Sequence, residues 1–277
     1  MKGSWSAVSR PVWSARIGQE VGGGFRVVQR LVSSRVSQVY LVSDGAALRV
    51  LKLFGPRYEA RAEREFRIGS RLEHPHLGRA VGRVEPSGCP GVLMDYVPGV
   101  RFGGWCRRDD VTCDDVLAAT RGVATALGYL HDHDILHRDV KPDNILVSAG
   151  RHARLIDFDL AVERDAQRRS RGFSGTLIYL SPEQVRGEIL GPASDLYSLG
   201  IVLYWGVTGQ LPFTGSPDDI LAAHRYAPPP RPSDVSARLE PFDALFARLL
   251  AKDPQARPQS AVELIARLEE VEGGLEP

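Results

Sequence analysis

The sequence predicts an α+β protein of two lobes, a small five-stranded antiparallel lobe with one helix and a larger, mostly helical lobe. The chain has 277 residues, more than one compact core usually holds. Alternation of apolar and polar residues, which indicates strands, dominates the first third. From Asp114 onward, apolar residues recur every three or four positions, which indicates helices. The hydrophobic fraction of 43% and charged fraction of 25% are typical of globular proteins.

The small lobe is predicted to cover residues 25–94, after a flexible tail of residues 1–24 that is rich in Ser, Gly and Trp. A charged helix is predicted over residues 58–72, because its apolar residues fall on one face. Alternating segments bounded by turn residues predict five strands, at residues 25–32, 38–43, 47–54, 81–84 and 91–94.

The large lobe is predicted to cover residues 95–272, with a short tail at residues 273–277. Residues 195–207 are apolar nearly all round, which predicts a helix buried at the centre of this lobe. Two further amphipathic helices are predicted around residues 242–250 and 261–271.

Composition argues against several classes of partner. The net charge of +1 gives no indication of nucleic-acid binding. The three cysteines, Cys89, Cys106 and Cys113, form no metal-binding spacing and fit a reducing compartment. No signal peptide follows Lys2, and the longest apolar run, residues 201–207, is too short to span a bilayer. We therefore expect a cytoplasmic protein without nucleic-acid or membrane partners.

Lysine is rare in this chain, because only four of the 35 basic residues are lysines. A lysine that persists among so many arginines suggests a chemical need for a compact point charge. Lys52 lies in an apolar stretch that reads as a buried strand, where an unpaired charge is costly. We therefore expect Lys52 to have an acidic partner. The lysines are Lys2, Lys52, Lys141 and Lys252.

The densest group of reactive side chains lies at residues 137–144, with the sequence HRDVKPDN, followed by DFD at residues 157–159. Phosphoryl transfer needs a carboxylate to orient a hydroxyl and accept its proton. It also needs an ammonium to offset phosphoryl charge, and oxygen ligands for a divalent metal. All of these groups occur within about twenty residues. A single His-Arg-Asp triplet could arise by chance, but the full set is strong evidence for this chemistry.

These motifs resemble those of the bacterial Hanks-type (eukaryotic-like) serine/threonine protein kinases, over about residues 25–271. The resemblance implies the bilobal protein kinase fold. It implies transfer of the γ-phosphate of ATP to Ser or Thr hydroxyls of protein substrates, with autophosphorylation of the activation segment. ATP and Mg²⁺ are the implied cofactors, with Mn²⁺ as an alternative metal, and a monomer or a weak dimer of small lobes is the implied state.

The resemblance assigns catalytic roles to four residues. Asp139 would be the catalytic base, and Lys141 is typical of kinases that act on Ser or Thr. Lys52 would grip the inner phosphates of the nucleotide. Glu65 would pair with Lys52, because it lies nine residues before the sequence His-Pro, whereas Glu63 is a competing candidate.

The resemblance also implies the residues of the nucleotide and metal sites. Asn144 and Asp157 would hold the metal. Met94 would be the gatekeeper, and the backbone around Asp95 would hydrogen-bond adenine. The implied nucleotide-binding residues are Val32, Val39, Val50, Lys52, Met94, Asp95, Val97 and Leu146.

Further matches concern the activation segment. Arg257 is expected to pair with Glu183, and Asp195 to brace the catalytic loop. Ser170 and Ser174 are candidate phosphorylation sites. Arg138 would bind the added phosphate, because arginine pairs well with phosphate.

Two departures from the family pattern stand out. Val32 and Ser34 occupy positions where glycines are expected, although glycine lets backbone amides approach phosphates closely. Asp159 follows the Asp-Phe pair where glycine is usual. We expect Asp159 to favour an inward Asp157 and to add a carboxylate near the metal, or else only to cap the following turn.

Two other functions remain open at this point. Small-molecule kinases that resemble aminoglycoside phosphotransferases often read Ile-Asp-Phe-Asp, as residues 156–159 do, but they lack the segment at Glu183 and its Arg257 partner. A catalytically weak pseudokinase scaffold, which binds nucleotide or partners, would fit the loss of glycines. A zinc site at His131, His133 and His137 is a further alternative. The family resemblance argues against it, because it implies a structural role for His137.

Overall fold

The computed structural model describes residues 14–166 and 176–274. The chain divides into two compact units by its internal contacts. The first unit holds the residues up to Arg71 together with Arg79–Tyr96. The second unit holds Leu72–Gly78 together with the residues from Val97 onward. The division therefore falls after Tyr96, two residues beyond the predicted boundary, and one short segment groups differently from the prediction.

The first unit is an antiparallel five-stranded sheet, as the sequence predicts, with the strand order β1-β2-β3-β5-β4. One helix, α1 (Glu59–Gly69), packs on it and buries Ala62, Glu65 and Ile68. The strands are β1 (Arg26–Ser33), β2 (Ser37–Ser43), β3 (Leu48–Phe54), β4 (Ala80–Val84) and β5 (Gly91–Asp95).

The prediction of a flexible tail over residues 1–24 fails for residues 14–24, and residues 1–13 lie outside the described part. Val21 has an exposure of 0% and belongs to the sheet's hydrophobic core with Tyr40 and Leu51. The Gly18 N–H donates to the Val27 carbonyl at 2.8 Å, so this segment pairs with the start of β1. This segment contains only isolated apolar residues, which give no periodic signal in the sequence. One buried valine is enough to dock it, so its packing could not be predicted from periodicity.

The second unit is mostly helical, with short strands. The central helix α5 is buried from Ala193 to Tyr204 and half-buried at residues 205–207, so the predicted burial of residues 195–207 holds for most of that range. The predicted helices at residues 242–250 and 261–271 correspond to α7 and α8. The elements are β6 (Val100–Arg101), α2 (Phe102–Trp105), α3 (Cys113–Asp132), β7 (Ile135–Leu136), β8 (Ile145–Val147), β9 (Ala153–Leu155), β10 (Val162–Glu163), α4 (Pro182–Arg186), α5 (Pro192–Thr208), α6 (Pro217–Tyr226), α7 (Asp243–Leu249) and α8 (Ala261–Gly273).

The segment Leu72–Gly78 belongs to the second unit because it is bonded to β9 and α3. The Gly78 N–H donates to the Leu155 carbonyl at 2.9 Å, and the Leu155 N–H donates to the His76 carbonyl at 2.8 Å. The His76 ring lies so close to Gly122 that a Cβ there would stand 2.7 Å from it. Among the described residues, no helix is long and apolar enough to cross a membrane.

Candidate active site

A buried ion pair joins β3 to α1 in the first unit. The Lys52 ammonium lies 2.9 Å from Oε2 of Glu65, and the two side chains are 5% and 1% exposed. The inward face of α1 carries Glu65, whereas Glu63 points to solvent. The structure therefore pairs Lys52 with Glu65 and not with Glu63. The ammonium also lies 5.1 Å from the centre of the Phe54 ring.

Five of the residues implied for nucleotide binding share one face of the sheet. Val39 stands opposite Lys52 in the β2–β3 ladder, and Val50 stands opposite Met94 in the β3–β5 ladder. Side chains alternate between faces along a strand, so Lys52 and Val50 point the same way. Val32 stands opposite Val39 and is 36% exposed.

The remaining nucleotide-binding candidates, Asp95, Val97 and Leu146, do not lie on this face of the sheet. Asp95 points to the opposite face from Met94, and its carboxylate lies 3.7 Å from Arg49. Its backbone N–H already donates to the Arg79 carbonyl at 3.0 Å. Val97 is buried and Leu146, on β8, is half-buried, and both belong to the second unit.

In the loop of the second unit that carries Asp139, two other functional side chains contact the Asp139 carboxylate. Oδ2 of Asp139 accepts a hydrogen bond from Nζ of Lys141 at 2.6 Å and from Nδ2 of Asn144 at 3.0 Å. The Asn144 amide also donates to the Asp139 carbonyl at 2.9 Å. These bonds hold the carboxylate in one orientation beside a positive charge.

Asp195, at the start of α5, holds this loop in place. Its two carboxylate oxygens accept the backbone N–H groups of His137 at 2.9 Å and Arg138 at 2.7 Å. Arg138 has a φ of 67°, a strained value for a side chain other than glycine, and Asp195 supports it. Burial alone would raise the pKa of Asp195, but the hydrogen bond from His131 and nearby positive charges lower it. A charged Asp195 therefore braces the loop.

The three histidines suggested as a zinc site have separate roles. His131 bonds to Asp195 at 3.0 Å, and His133 bonds to the Tyr129 carbonyl at 2.7 Å. His137 is fully buried, packs edge-on against Phe158 at 5.7 Å, and has a pKa lowered by its burial. No group of three or more His, Cys, Asp or Glu side chains in residues 14–166 and 176–274 is arranged to hold a metal ion.

The donor atoms of Asn144 and Asp157 suit a magnesium ion that also binds phosphates. Asn144 uses its NH₂ group on Asp139, which turns its carbonyl oxygen to the other side of the amide. One carboxylate oxygen of Asp157 accepts the backbone N–H of Asp159 at 3.2 Å. Mg²⁺ usually binds one or two protein oxygens plus phosphate oxygens and water, so this pair fits such an ion.

The end of the activation segment is fastened by a second buried ion pair. Arg257 bonds to both carboxylate oxygens of Glu183, at 2.8 and 2.9 Å. Burial would raise the pKa of Glu183, but the bonds and charge of Arg257 lower it. Glu183 lies in α4, whose first turn Ser181 caps. The proposed phosphorylation sites Ser170 and Ser174 lie outside the described residues.

Sequence reasoning missed Gln184 as a supporting residue. Its side chain donates to the Arg138 carbonyl at 3.0 Å and accepts from the Ser181 N–H at 2.9 Å. The spacing of Ser181 and Gln184 is that of a capping box, a signal available in the sequence. Gln184 therefore ties the activation segment to the catalytic loop.

Comparison with known proteins agrees with this geometry. The family model described as "Protein kinase domain" matches residues 28–267. The serine/threonine-protein kinase PknB of Mycolicibacterium smegmatis is 36% identical over 266 residues, 87% of this chain and 42% of that protein. The kinase pkn2 of Myxococcus xanthus is 35% identical over 262 residues, 87% of this chain and 32% of that protein.

PknF of Mycobacterium tuberculosis is 33% identical over 270 residues, 91% of this chain and 57% of that protein. The chain thus spans less than two thirds of the length of each of these relatives. The family match covers most of the chain. Within the units, Lys52 contacts Glu65, and Lys141 and Asn144 both contact Asp139. This chain therefore belongs to the protein kinase domain family and is similar to bacterial serine/threonine-protein kinases.

Proposed function

We propose that this chain is a serine/threonine protein kinase that transfers the γ-phosphate of ATP to Ser or Thr hydroxyls of proteins. The observation that carries the proposal is the joint contact of Lys141 and Asn144 with one oxygen of Asp139, at 2.6 and 3.0 Å. The names of the relatives, all serine/threonine-protein kinases, support it further.

In this proposal Asp139 orients the substrate hydroxyl and accepts its proton. The hydroxyl oxygen forms a bond to the γ-phosphorus, and the bond from that phosphorus to the bridging oxygen breaks. ADP leaves with the bridging oxygen and its electron pair. The Lys141 ammonium offsets negative charge on the phosphoryl group in transit.

Lys52 would contact the inner phosphates, with Glu65 holding its ammonium in position. Asn144 and Asp157 would bind Mg²⁺, with Mn²⁺ as an alternative, because both ions prefer oxygen donors. The ion supplies positive charge that neutralises phosphate oxygens. A cytoplasmic location and protein substrates are parts of the same proposal.

The test is incubation of the chain with γ-labelled ATP, Mg²⁺ and a generic protein substrate. We expect Asp139→Asn to lower the transfer rate about 10²–10⁴-fold, the usual contribution of a positioned acid–base group. ATP binding should stay near the wild-type value. The matched control is Asp143→Asn in the same loop, whose exposed carboxylate bonds Arg101 at 3.2 Å. A wild-type rate in Asp139→Asn would contradict the assignment of the base.

The same assay separates the alternatives. A pseudokinase scaffold would bind ATP without transferring label. In a parallel reaction that contains an aminoglycoside, a small-molecule kinase would label that compound and no protein. Label on the chain itself would reveal autophosphorylation, for which Ser170 and Ser174 stay the proposed acceptors.

A further inference from the structure

The turn that joins β1 to β2 is closed by a serine hydroxyl. Oγ of Ser34 accepts hydrogen bonds from the backbone N–H groups of Val36 at 3.1 Å and Ser37 at 2.9 Å. The same hydroxyl donates to the Ser37 carbonyl at 3.0 Å. Residues 32–39 contain no glycine. The Val36 and Ser37 amides are therefore both bonded to an oxygen of the protein.

Two further contacts fasten the turn to the first unit. Gln38 has an exposure of 0% and donates through Nε2 to the Ser34 carbonyl at 3.0 Å. Val36 packs against the hydrophobic cluster that contains Phe54, and its carbonyl accepts the Gly55 N–H at 3.0 Å. These contacts thus fix the conformation of the turn against the sheet.

The turn lies at the same end of the sheet as Lys52. In the β2–β3 ladder, Val39 stands opposite Lys52 and Ser37 stands opposite Phe54. Two residues of a strand span about 7 Å, so the turn begins about that far beyond Lys52. Backbone N–H groups in such turns are donors to phosphate oxygens. A chain of phosphates held by Lys52 would therefore reach the Val36 and Ser37 amides.

We propose that Ser34 is a positioning residue whose hydroxyl occupies the place of a phosphate oxygen on the Val36 and Ser37 amides. The inference rests on the proposed function, because it needs a nucleotide bound beside Lys52. Binding then requires an exchange in which a phosphate oxygen takes the two amides and the Ser34 hydroxyl turns to water. A charged phosphate oxygen is a stronger acceptor than the Ser34 hydroxyl, so the exchange is favourable. Because the hydroxyl must first be displaced, the affinity for the nucleotide is lower than it would be if no hydroxyl competed for the two amides.

The closed turn also carries a cost that favours its opening. Oε1 of Gln38 is buried and has no donor among the described residues. A buried acceptor without a donor is unfavourable, and movement of the turn would let it reach water. The hydrogen bonds of Ser34 therefore stabilise the closed turn, whereas the buried oxygen of Gln38 favours its opening.

The test is calorimetric titration of wild type and variants with adenosine, ADP and ATP in the presence of Mg²⁺. Ser34→Ala removes the internal acceptor at an exposed position. We expect it to bind ADP and ATP about tenfold more tightly, because two amides gain a charged partner without competition. Adenosine, which has no phosphate, should bind as it does to wild type. The KM for ATP should fall by the same factor, with kcat unchanged.

Two controls separate this role from a general effect on the loop. Ser34→Thr keeps an oxygen at the same position and should bind all three ligands as wild type does. Ser33→Ala changes the exposed neighbouring serine, which makes no side-chain hydrogen bond within the described residues, and should also match wild type.

Equal or weaker binding of ADP and ATP by Ser34→Ala would overturn the inference, and so would an equal gain for adenosine. The titrations need no phosphate transfer. A chain that binds ATP and transfers nothing would refute the proposed function while the Ser34 comparison still decides the inference. Failure of wild type and all variants to bind ADP or ATP would overturn both.

Discussion

Each unit contains a deeply buried ion pair between a basic side chain and a glutamate, and the two pairs use different cations. In the second unit, the Arg257 and Glu183 side chains are 0% and 2% exposed. In the first unit, Lys52 and Glu65 are almost as deeply buried and meet at 2.9 Å. The similar burial does not distinguish the Arg257 pair from the Lys52 pair, which is proposed to bind phosphate.

The geometry of the cation makes the difference. Arg257 uses all five of its N–H groups, two on Glu183 and the other three on the carbonyls of Ala193, Ala251 and Lys252. No donor of this guanidinium remains for another partner. The pair therefore fastens the segment around Glu183 to the connection between α7 and α8 and serves the fold.

Lys52 presents a compact charge on a flexible stem, so its three donors can turn toward a new acceptor while Glu65 stays in place. A lysine at this position, in a chain that uses arginine almost everywhere else, suits the proposed role of a group that contacts both a carboxylate and a phosphate. The comparison thus separates a fully bonded arginine from an adaptable lysine.

The largest expected effect comes from breaking the arginine pair. Arg257→Met should lower the free energy of unfolding by about 3–5 kcal/mol, because it leaves the buried Glu183 carboxylate without a partner. Chemical denaturation measures this loss. The control Arg267→Met, which removes an exposed pair with Glu270, should change it by about 0.5 kcal/mol or less. A loss of similar size in the control would show that burial is not the cause.

The next effect tests the adaptable lysine. Under the proposed function, Lys52→Met should lower kcat/KM for ATP about 10²–10³-fold, the usual result of removing a group that stabilises transition-state charge. Lys52→Arg should also lose most of the rate, because the planar fork cannot serve both acceptors. Steady-state kinetics measures both variants, with Arg49→Met on the same strand as control. A wild-type rate in Lys52→Arg would remove the distinction between the two cations.

A smaller effect concerns the surroundings of Arg257. The guanidinium lies 4.7 Å from the ring centre of Tyr197, whose hydroxyl is 3.0 Å from Nδ1 of His224. Burial, aided by the nearby charge of Lys252, lowers the pKa of His224 from 6.5 to about 4. The unfolded chain therefore takes up a proton first, and stability falls as the pH drops from 6.5 toward 4.

The free energy of unfolding, measured from pH 7.5 to 4.5, should report this titration. His224→Gln should reduce the slope within that window by about 1.4 kcal/mol per pH unit, since a single proton is involved. Identical slopes in the two proteins would mean that folding does not lower the pKa of His224.

The smallest effect concerns a carboxylate beside the proposed metal ligand. Asp159 occupies a position where glycine is usual, and its backbone N–H donates to the Asp157 carboxylate at 3.2 Å. If Asp159 adds negative charge near the metal, Asp159→Gly should need about two- to fivefold more Mg²⁺ for half-maximal rate, as expected for a partly solvated charge. A metal titration measures this, and an unchanged requirement would leave Asp159 a structural residue.

The sequence alone determined the elements that depend on local periodicity. The five strands of the first unit and the buried helix α5 were predicted within a few residues, because their apolar residues repeat with the period of the element. The family and the partners Lys52 and Glu65 followed from motif spacing. The strands β6 to β10 were not predicted, because two or three residues carry too little periodic signal.

Only the tertiary structure decided the features that depend on distant contacts. Val21 docks an irregular segment into the sheet core, and Leu72–Gly78 joins the second unit through bonds to β9. The hydroxyl of Ser34 accepts hydrogen bonds from two backbone amides, whereas the sequence showed only that Ser34 replaces an expected glycine. Residue type and spacing specify which groups are available, whereas the folded chain decides which donors and acceptors meet, because hydrogen bonds and packing join residues that periodicity cannot relate.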